Sequence, residues 1–157
     1  MKRFILLLFA IFPLVGCVNN SNHSQEIVSL ETKISQEEKE IDMKLFIDKK
    51  ELKVEWEEND SVKALKELSL DTLTISMHEY GGFEQTGPIG QSIPSNDSQM
   101  NVVPGDIVLY NGNAISVFYR PSSWSYTKLG HILLEEEELN ALLRVASVTF
   151  ILKGERK

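Results

Sequence analysis

Apolar and polar residues alternate along most of the chain after residue 42, and this pattern predicts short β-strands. Residues 43–47 and 52–56 both alternate, and the charged segment 48–51 between them predicts a hairpin. Residues 72–77 alternate Thr or Ser with Leu, Ile and Met, as expected for a half-buried strand. Residues 148–152 show the same pattern and predict a closing strand near the end of the chain.

A second hairpin is predicted around Asn111-Gly112, because both turn positions of an Asn-Gly pair tolerate a positive φ angle. The preceding residues 103–106, Val-Pro-Gly-Asp, indicate a turn into a buried strand at 107–110. The returning strand is predicted for residues 114–119. Residues 79–99 hold four glycines and two prolines without alternation, and this composition predicts a long irregular loop of the kind that often carries function.

Two segments have helical periodicity. Residues 59–61 offer N-cap side chains before an apolar face at positions 62, 65 and 68. Four acidic residues at 135–138 precede an apolar face at 139, 142 and 143, and acids in a first turn complement the helix dipole. Many strands, two short helices and little helix–strand alternation predict a mainly β fold, a small closed antiparallel barrel. We predict this domain for residues 43–153, with a tail at 154–157.

The N-terminus has the features of a bacterial lipoprotein signal peptide. Lys2 and Arg3 precede an apolar stretch, residues 4–15, whose length suits a signal peptide better than a membrane span. Residues 14–17, Leu-Val-Gly-Cys, resemble the lipobox, which implies cleavage before Cys17 and a diacylglycerol on its sulfur. A plain secretory signal is the alternative. We therefore predict a signal peptide at 1–16, a lipid anchor on Cys17 and an extracytoplasmic location at the bacterial cell membrane.

The composition excludes some partners and leaves others open. Residues 17–42 after the predicted cleavage site are polar and acidic, and they predict a tether between membrane and domain.

The chain carries 16 Lys and Arg against 23 Asp and Glu, and cleavage would remove two of the basic residues and none of the acidic ones. A strongly acidic chain without clustered basic residues is not expected to bind nucleic acid. With a single Cys, no disulfide framework is expected.

Four segments resemble, in their order and spacing, the bacterial cyclophilin-like domain family. They are residues 43–56, 68–79, 102–119 and 125–132, and the most specific parts are the Pro-Gly-Asp strand and the Phe118-Tyr119 pair with the run that begins at Tyr126. The likeness covers about residues 43–143. It implies a cyclophilin-type β-barrel with a ligand groove.

The resemblance also implies a change at the catalytic position of cyclophilins, which isomerise X–Pro bonds with an Arg and a Gln. Here Phe83 and Gln85 resemble the Gly-Phe-x-x-Gln part of that motif with one residue fewer, and Glu79 stands where the Arg is expected. A carboxylate cannot donate hydrogen bonds to a carbonyl oxygen and opposes negative charge building there. We therefore expect a groove that binds without isomerising.

Residues 120–132, Arg-Pro-Ser-Ser-Trp-Ser-Tyr-Thr-Lys-Leu-Gly-His-Ile, concentrate charged, aromatic and hydroxyl side chains. In the implied barrel, the loop 120–125 would form a wall of the groove. We predict that Trp124 packs in the core in preference to the groove wall, and that Arg120 pairs with Glu79 or Glu84. The candidate groove residues are Glu79, Phe83, Gln85, Phe118, Tyr119, Arg120, Trp124 and Tyr126.

Other chemistries are weaker readings of the sequence. His78, Glu79 and His131 do not predict a metal site, because neighbours in a strand point to opposite faces. No Gly-x-Ser-x-Gly elbow occurs, and no cofactor or metal is expected. We predict a membrane-tethered extracytoplasmic module that binds a peptide or small ligand without catalysis. The alternatives are an extracytoplasmic peptidyl-prolyl isomerase that assists folding, and a structural subunit of an envelope complex.

Overall fold

The computed structural model describes residues 40–157, of which 53% lie in strands. The elements, in chain order, are β1 (Ile41–Ile47), β2 (Lys50–Leu52), β3 (Val54–Trp56), α1 (Asp60–Ser69), β4 (Leu73–Tyr80), β5 (Glu84–Pro88), β6 (Ser98–Val102), β7 (Asp106–Tyr110), β8 (Ala114–Phe118), β9 (Ser122–Ile132), α2 (Glu136–Leu143) and β10 (Ser147–Arg156). Neither helix is long and apolar enough to cross a membrane.

The strands form an antiparallel barrel that is nearly closed, as the sequence predicted. Their order is β2-β1-β10-β4-β5-β8-β7-β9-β3, and β6 is added to β9 outside this path. Only Lys53 separates β2 from β3, so one extended segment pairs with β1 at one end and with β9 at the other. The Lys53 carbonyl also accepts a hydrogen bond from the Leu133 amide (2.9 Å). This shared segment brings the two edges of the sheet together and leaves little unpaired edge.

The main core fills the inside of the barrel with alternate residues of the strands. Phe150 of β10 pairs with Ile75 of β4, and Leu45 of β1 pairs with Leu152, all buried. Burying side chains of this size contributes about 1.5–3 kcal/mol each. Helix α1 adds an apolar face to this core, and its N-cap Asn59 accepts a hydrogen bond from the Val62 amide (2.9 Å). Both predicted helices are present.

Tight turns with positive φ angles join two of the hairpins. Asn111 (φ 50°) and Gly112 (φ 70°) connect β7 to β8, which confirms the predicted turn. Gly81 (φ 63°) and Gly82 (φ 77°) make a similar connection between β4 and β5. In the first hairpin, β2 already begins at Lys50, so the connection is shorter than the predicted segment 48–51.

The predicted loop at residues 79–99 is wrong, because it contains strand β5 and the start of β6. Strand β5 is central in the sheet although its sequence, Glu-Gln-Thr-Gly-Pro, shows no apolar alternation. Gly87 explains part of this composition, since a Cβ there would lie 2.6 Å from the Ser76 carbonyl oxygen. The predicted loop 120–125 is also too long, because β9 starts at Ser122.

The sheet extends past both predicted domain boundaries. Ile41 pairs with Arg156, so β1 begins before residue 43 and β10 continues beyond residue 153. The predicted signal peptide, the lipid anchor on Cys17 and most of the predicted tether lie outside the described residues.

Candidate functional site

Besides pairing with β3, strand β9 pairs with β6 along one half and with β7 along the other, and this division creates a groove outside the barrel. Its C-terminal half pairs with β7, with Thr127 opposite Leu109, whereas its N-terminal half pairs with β6, with Trp124 opposite Met100. We call β6 together with residues 122–126 the β6–β9 ribbon. A second, smaller core packs at the outer side of the barrel, and it contains Val102, Val108, Phe118 and Tyr126.

The register of β4, β5 and β8 places two cross-strand rows beside this ribbon. One row is Tyr80–Glu84–Phe118, and the next is His78–Thr86–Ser116. Because side chains alternate between faces, all six point to the outside of the barrel. Together with the ribbon they enclose a groove of about 540 Å³, the aromatic groove, whose lining residues are His78, Tyr80, Phe83, Glu84, Thr86, Tyr110, Ser116, Ser122, Ser123, Trp124 and Tyr126.

Five aromatic rings form a continuous chain along the aromatic groove. Tyr80 meets the Phe83 ring edge-on at 6.2 Å between centroids, and Phe83 stacks on Phe118 at 6.1 Å. Phe118 contacts Tyr126 at 5.6 Å, and Tyr126 contacts Tyr110 at 6.0 Å. Pairs in these geometries contribute about 0.5–1.5 kcal/mol beyond their buried area. The chain therefore fixes the positions of the groove walls without a bound ligand.

The turn before β5 is built to hold Phe83 in this chain. Gly81 lies directly against the Phe83 ring, and a Cβ atom on Gly81 would overlap it. The Glu79 carboxylate accepts a hydrogen bond from the Gly82 amide and so fastens the turn. Only glycine combines the positive φ angle with this close approach.

Glu84 is a buried carboxylate on the floor of the aromatic groove. Its relative exposure is 7%, and its Oε2 atom has no hydrogen-bond partner among the described residues. Burial raises the pKa of the Glu84 carboxyl, while the nearby Ser116 hydroxyl and His78 ring act in the opposite direction. The hydroxyl hydrogen of Ser116 can turn to Glu84 or to Thr86 Oγ1 (2.9 Å), and while it is donated to Thr86 it is not available to Glu84. The carboxylate thus keeps unused acceptor capacity.

The aromatic groove has few side chains that can carry a charge. Glu84 is its one carboxylate, His78 is its one imidazole, and no Lys or Arg belongs to its described lining. The pKa of Tyr126 is raised, first by burial and then by the Glu84 charge, so this hydroxyl stays protonated and can donate. The site can therefore accept hydrogen bonds at its floor and stack flat groups against its walls.

A second hollow, of about 500 Å³, lies at one end of the barrel. We call it the end hollow, and it is lined by Glu79, Gly82, Tyr119, Arg120, Arg144, Val145 and Ala146. The Tyr119 hydroxyl donates to Glu79 (3.3 Å). Burial and the adjacent Glu79 carboxylate raise the pKa of Tyr119, and the two arginines partly offset the rise. This polar hollow contains none of the rings of the aromatic chain.

Gln85 lies in neither cavity. It is fully buried, and its Nε2 atom donates to the carbonyls of Leu143 (2.9 Å) and Val145 (2.6 Å). These carbonyls lie at the C-terminal end of α2, where backbone carbonyls have no N–H partner within the helix. Gln85 therefore joins α2 to the sheet, and its assignment to the groove is corrected.

Apart from Gln85, and from Cys17 outside the described residues, the predicted site residues belong to two cavities. Phe83, Trp124 and Tyr126 line the aromatic groove with Phe118 packed beneath Phe83 and Tyr126. Glu79, Tyr119 and Arg120 line the end hollow. The predicted core packing of Trp124 is wrong, because 58% of this residue is exposed. The predicted ion pair of Arg120 is not formed with Glu79 or Glu84 in the described part of the chain.

Sequence reasoning missed Glu84, His78, Tyr80 and Tyr110 as groove residues. The motif match placed Glu79 and Gln85 in the groove, whereas the groove residues are their direct neighbours. A shift of one residue in a strand moves a side chain to the opposite face. The apolar alternation of Leu73, Ile75 and Met77 was the available signal in the sequence, since His78, the neighbour of Met77, must then point to the opposite, outer face.

The histidines and acids do not converge on a metal site. Among residues 40–157, no group of three or more His, Cys, Asp or Glu side chains could hold a metal ion. His78 lines the aromatic groove and Glu79 the end hollow, on opposite faces as predicted. His131 bonds through Nδ1 to the buried Asp106 (2.8 Å), which also accepts from the Val103 amide (3.0 Å) in the Pro-Gly-Asp turn.

Comparison with known proteins identifies one family. The model of the family described as cyclophilin-like matches residues 45–152, well over half of the chain. No curated protein and no solved structure gives a significant match.

Proposed function

Because the chain belongs to the cyclophilin-like family, we propose that it is a binding module that takes a peptide or small ligand in the aromatic groove without changing it chemically. The observation that carries the proposal is the preformed groove outside the barrel, lined by four rings of the aromatic chain and floored by a buried carboxylate. Binding sites are commonly concave and aromatic with a few placed polar groups.

The two tryptophans offer a direct test of this proposal. Trp124 stands at the groove, whereas Trp56 packs against the main core and donates to the Met43 carbonyl (3.1 Å). In the purified full chain, Trp56→Phe leaves Trp124 as the only tryptophan reporter, and Trp124→Phe leaves Trp56. A library of short peptides and small aromatic compounds should include ligands that change Trp124 emission saturably and leave Trp56 emission unchanged. A library without any such ligand would contradict the proposal.

The groove chemistry argues against the isomerase alternative. In cyclophilins an Arg donates to the carbonyl oxygen of the twisted X–Pro amide, and the described groove lining has no Arg or Lys. Glu79, at the matching position of the motif, lines the end hollow instead. In a coupled assay with an X–Pro peptide, we expect the uncatalysed rate. Acceleration that Phe83→Ala or Phe118→Ala abolishes would instead establish an isomerase.

We further propose that the module is held at the extracytoplasmic face of a bacterial membrane by a lipid on Cys17. The support is the pattern of basic residues, apolar stretch and Leu-Val-Gly-Cys at residues 2–17. Two acyl chains hold a protein stably at a membrane. The chain should sediment with membranes and carry an added mass on Cys17, and Cys17→Ser should release it into the soluble fraction. Wild-type protein with an unmodified thiol would refute the anchor.

A structural role in an envelope complex instead predicts co-purification of a membrane protein from detergent extracts.

A further inference from the structure

We propose that the aromatic groove selects ligands that carry a cationic group with N–H donors, a primary ammonium or a guanidinium, and that Glu84 is the residue that recognises it. This inference rests on the proposed binding function and names the chemistry of its ligand. The carboxylate lies on the groove floor, is 7% exposed, and has one oxygen without a hydrogen-bond partner within residues 40–157. A buried polar atom without a partner costs about 1–3 kcal/mol, and a ligand N–H group would remove this cost.

The walls of the groove favour a cation as well. Three rings of the lining keep exposed surface, namely Tyr80 (59%), Tyr110 (37%) and Trp124 (58%). The face of an aromatic ring attracts an ammonium or guanidinium within about 6 Å, by about 0.5–1 kcal/mol at exposed sites and more when desolvated. Rings above a carboxylate form a compartment that suits the positive charge and its apolar stem.

The surroundings of Glu84 leave its charge free for a ligand. The described lining residues include neither Lys nor Arg, and the salt bridges among residues 40–157 do not involve Glu84. The titratable groups that face it are His78 and Tyr80 of β4, Tyr110 of β7 and Tyr126 of β9. Of these, His78 alone can become cationic. A ligand cation would therefore stabilise the ionised form of this carboxylate, whose pKa burial raises, and would meet little competition within the groove.

Charge and N–H donors together distinguish a primary ammonium or guanidinium from chemically similar groups. A quaternary ammonium has charge but no N–H group, so it can use the rings but not the unpartnered Oε2 atom. A neutral alcohol can donate to the carboxylate but brings no charge. Benzylamine, benzyltrimethylammonium and benzyl alcohol present these three combinations on the same aromatic stem. They form a matched set for the groove.

The test measures binding of each probe to the purified full chain at pH 7, with Trp124 emission in the Trp56→Phe background as the readout. We expect benzylamine to bind at least tenfold more tightly than benzyl alcohol, and benzyltrimethylammonium to fall between them. Glu84→Gln should reduce benzylamine affinity about tenfold and leave benzyl alcohol unchanged. Glu67→Gln, which removes the same charge from exposed helix α1, is the matched control and should alter neither.

Two capped peptides identify the source of the cation. Ala-Ala-Arg-Ala-Ala and its neutral citrulline counterpart differ only at the guanidinium. An Arg peptide that binds more tightly than benzylamine would point to basic peptide side chains, and the reverse order would point to small amines. Either order supports the inference, provided that the citrulline peptide binds at least tenfold more weakly than the Arg peptide.

Equal affinities for benzylamine and benzyl alcohol would overturn the cation preference while leaving the groove a binding site. An affinity for benzylamine that Glu84→Gln does not change would likewise overturn the role of Glu84. A lack of response to all three probes and both peptides would also overturn this inference. The wider ligand library described above decides the proposed function separately.

Discussion

At the scale of single residues, two neighbours on β5 take opposite roles. Glu84 points outward to the aromatic groove with an oxygen that has no partner among the described residues, whereas Gln85 points inward and its amide donates to two carbonyls at the C-terminal end of α2. Both are buried polar residues, so each is expected to affect stability. Among the described residues both keep one buried oxygen without a partner, Glu84 Oε2 and Gln85 Oε1, but only Glu84 lines the aromatic groove, where a ligand could reach it.

Replacing Glu84 by Gln should change how stability depends on pH. The folded-state pKa of Glu84 is raised, so the protonated form is favoured by folding. Its contribution to stability is therefore fully present below the unfolded pKa and declines as pH rises through the folded pKa. We expect Glu84→Gln to be more stable than wild type at pH 7, by about 1 kcal/mol, with the two proteins converging near pH 4. Urea unfolding from pH 4 to 8 measures this difference, and a constant difference at all pH values would contradict it.

Replacing Gln85 by Leu should destabilise the protein by about 2–3 kcal/mol, because a buried carbonyl of Leu143 and a partly buried carbonyl of Val145 lose their donor. Gln99 provides a matched control, since it is exposed and bonds to Ser123 (3.0 Å) on the β6–β9 ribbon. Gln99→Leu should cost less than about 0.5 kcal/mol. Urea unfolding compares the two variants, and equal losses would show that Gln85 does not anchor the end of α2.

At the scale of elements, the groove depends on how β4, β5 and β9 are connected. The Gly81-Gly82 turn sets the register of β4 against β5, and that register places Tyr80 and Glu84 in one row. Strand β9 changes partner from β6 to β7, with a register shift at Ile107/Val108 along β7. Such irregularities bend a strand and are common next to binding sites.

Alanine at Gly81 and at Gly82 should have different consequences. Both residues have positive φ angles of similar size, so each substitution is expected to cost about 1 kcal/mol for backbone strain. A Cβ at Gly81 would overlap Phe83, whereas a Cβ at Gly82 would have no atom within 4 Å. Gly81→Ala should therefore lose at least a further 1 kcal/mol. Urea unfolding gives the free energy of unfolding of both variants, and the difference between them is the cost of displacing the Phe83 ring. Equal stabilities would show that the ring moves aside at no cost.

At the scale of the whole molecule, two cores lie on opposite faces of one barrel wall. The main core fills the barrel and includes Phe150, and the second core joins the β6–β9 ribbon to the outside and includes Phe118. Within the described chain, β6 pairs only with β9. The ribbon can therefore open without breaking the barrel, which suits a wall of a binding groove.

Two substitutions of fully buried phenylalanines should separate the cores. Phe150→Ala is expected to destabilise the whole molecule by about 3–5 kcal/mol. Phe118→Ala should mainly release the ribbon, so amide exchange should accelerate in residues 98–102 and 122–126 more than in β10. Hydrogen exchange followed by mass spectrometry distinguishes these outcomes. Uniform acceleration in Phe118→Ala would show that the ribbon and the barrel unfold as one unit.

Sequence periodicity alone determined the mainly β barrel, the two helices and the Asn111-Gly112 turn, because each depends on the spacing of apolar residues or on local backbone preferences. Phe83 and Tyr126 were placed in the candidate groove through the family resemblance, and they line one cavity; Trp124 lines it too, although core packing was its preferred prediction. The predictions for the N-terminal 39 residues lie outside the described chain.

Only the tertiary structure revealed β5, because a central strand that reads Glu-Gln-Thr-Gly-Pro has no apolar alternation and is held by its neighbours. The assignment of Glu84 to the groove and Gln85 to the barrel interior also needed the pairing register, since one residue decides the face. The aromatic groove itself forms where β9 changes its pairing from β6 to β7. The strands around it are far apart in the chain, and no local sequence pattern predicts how close they lie in the fold.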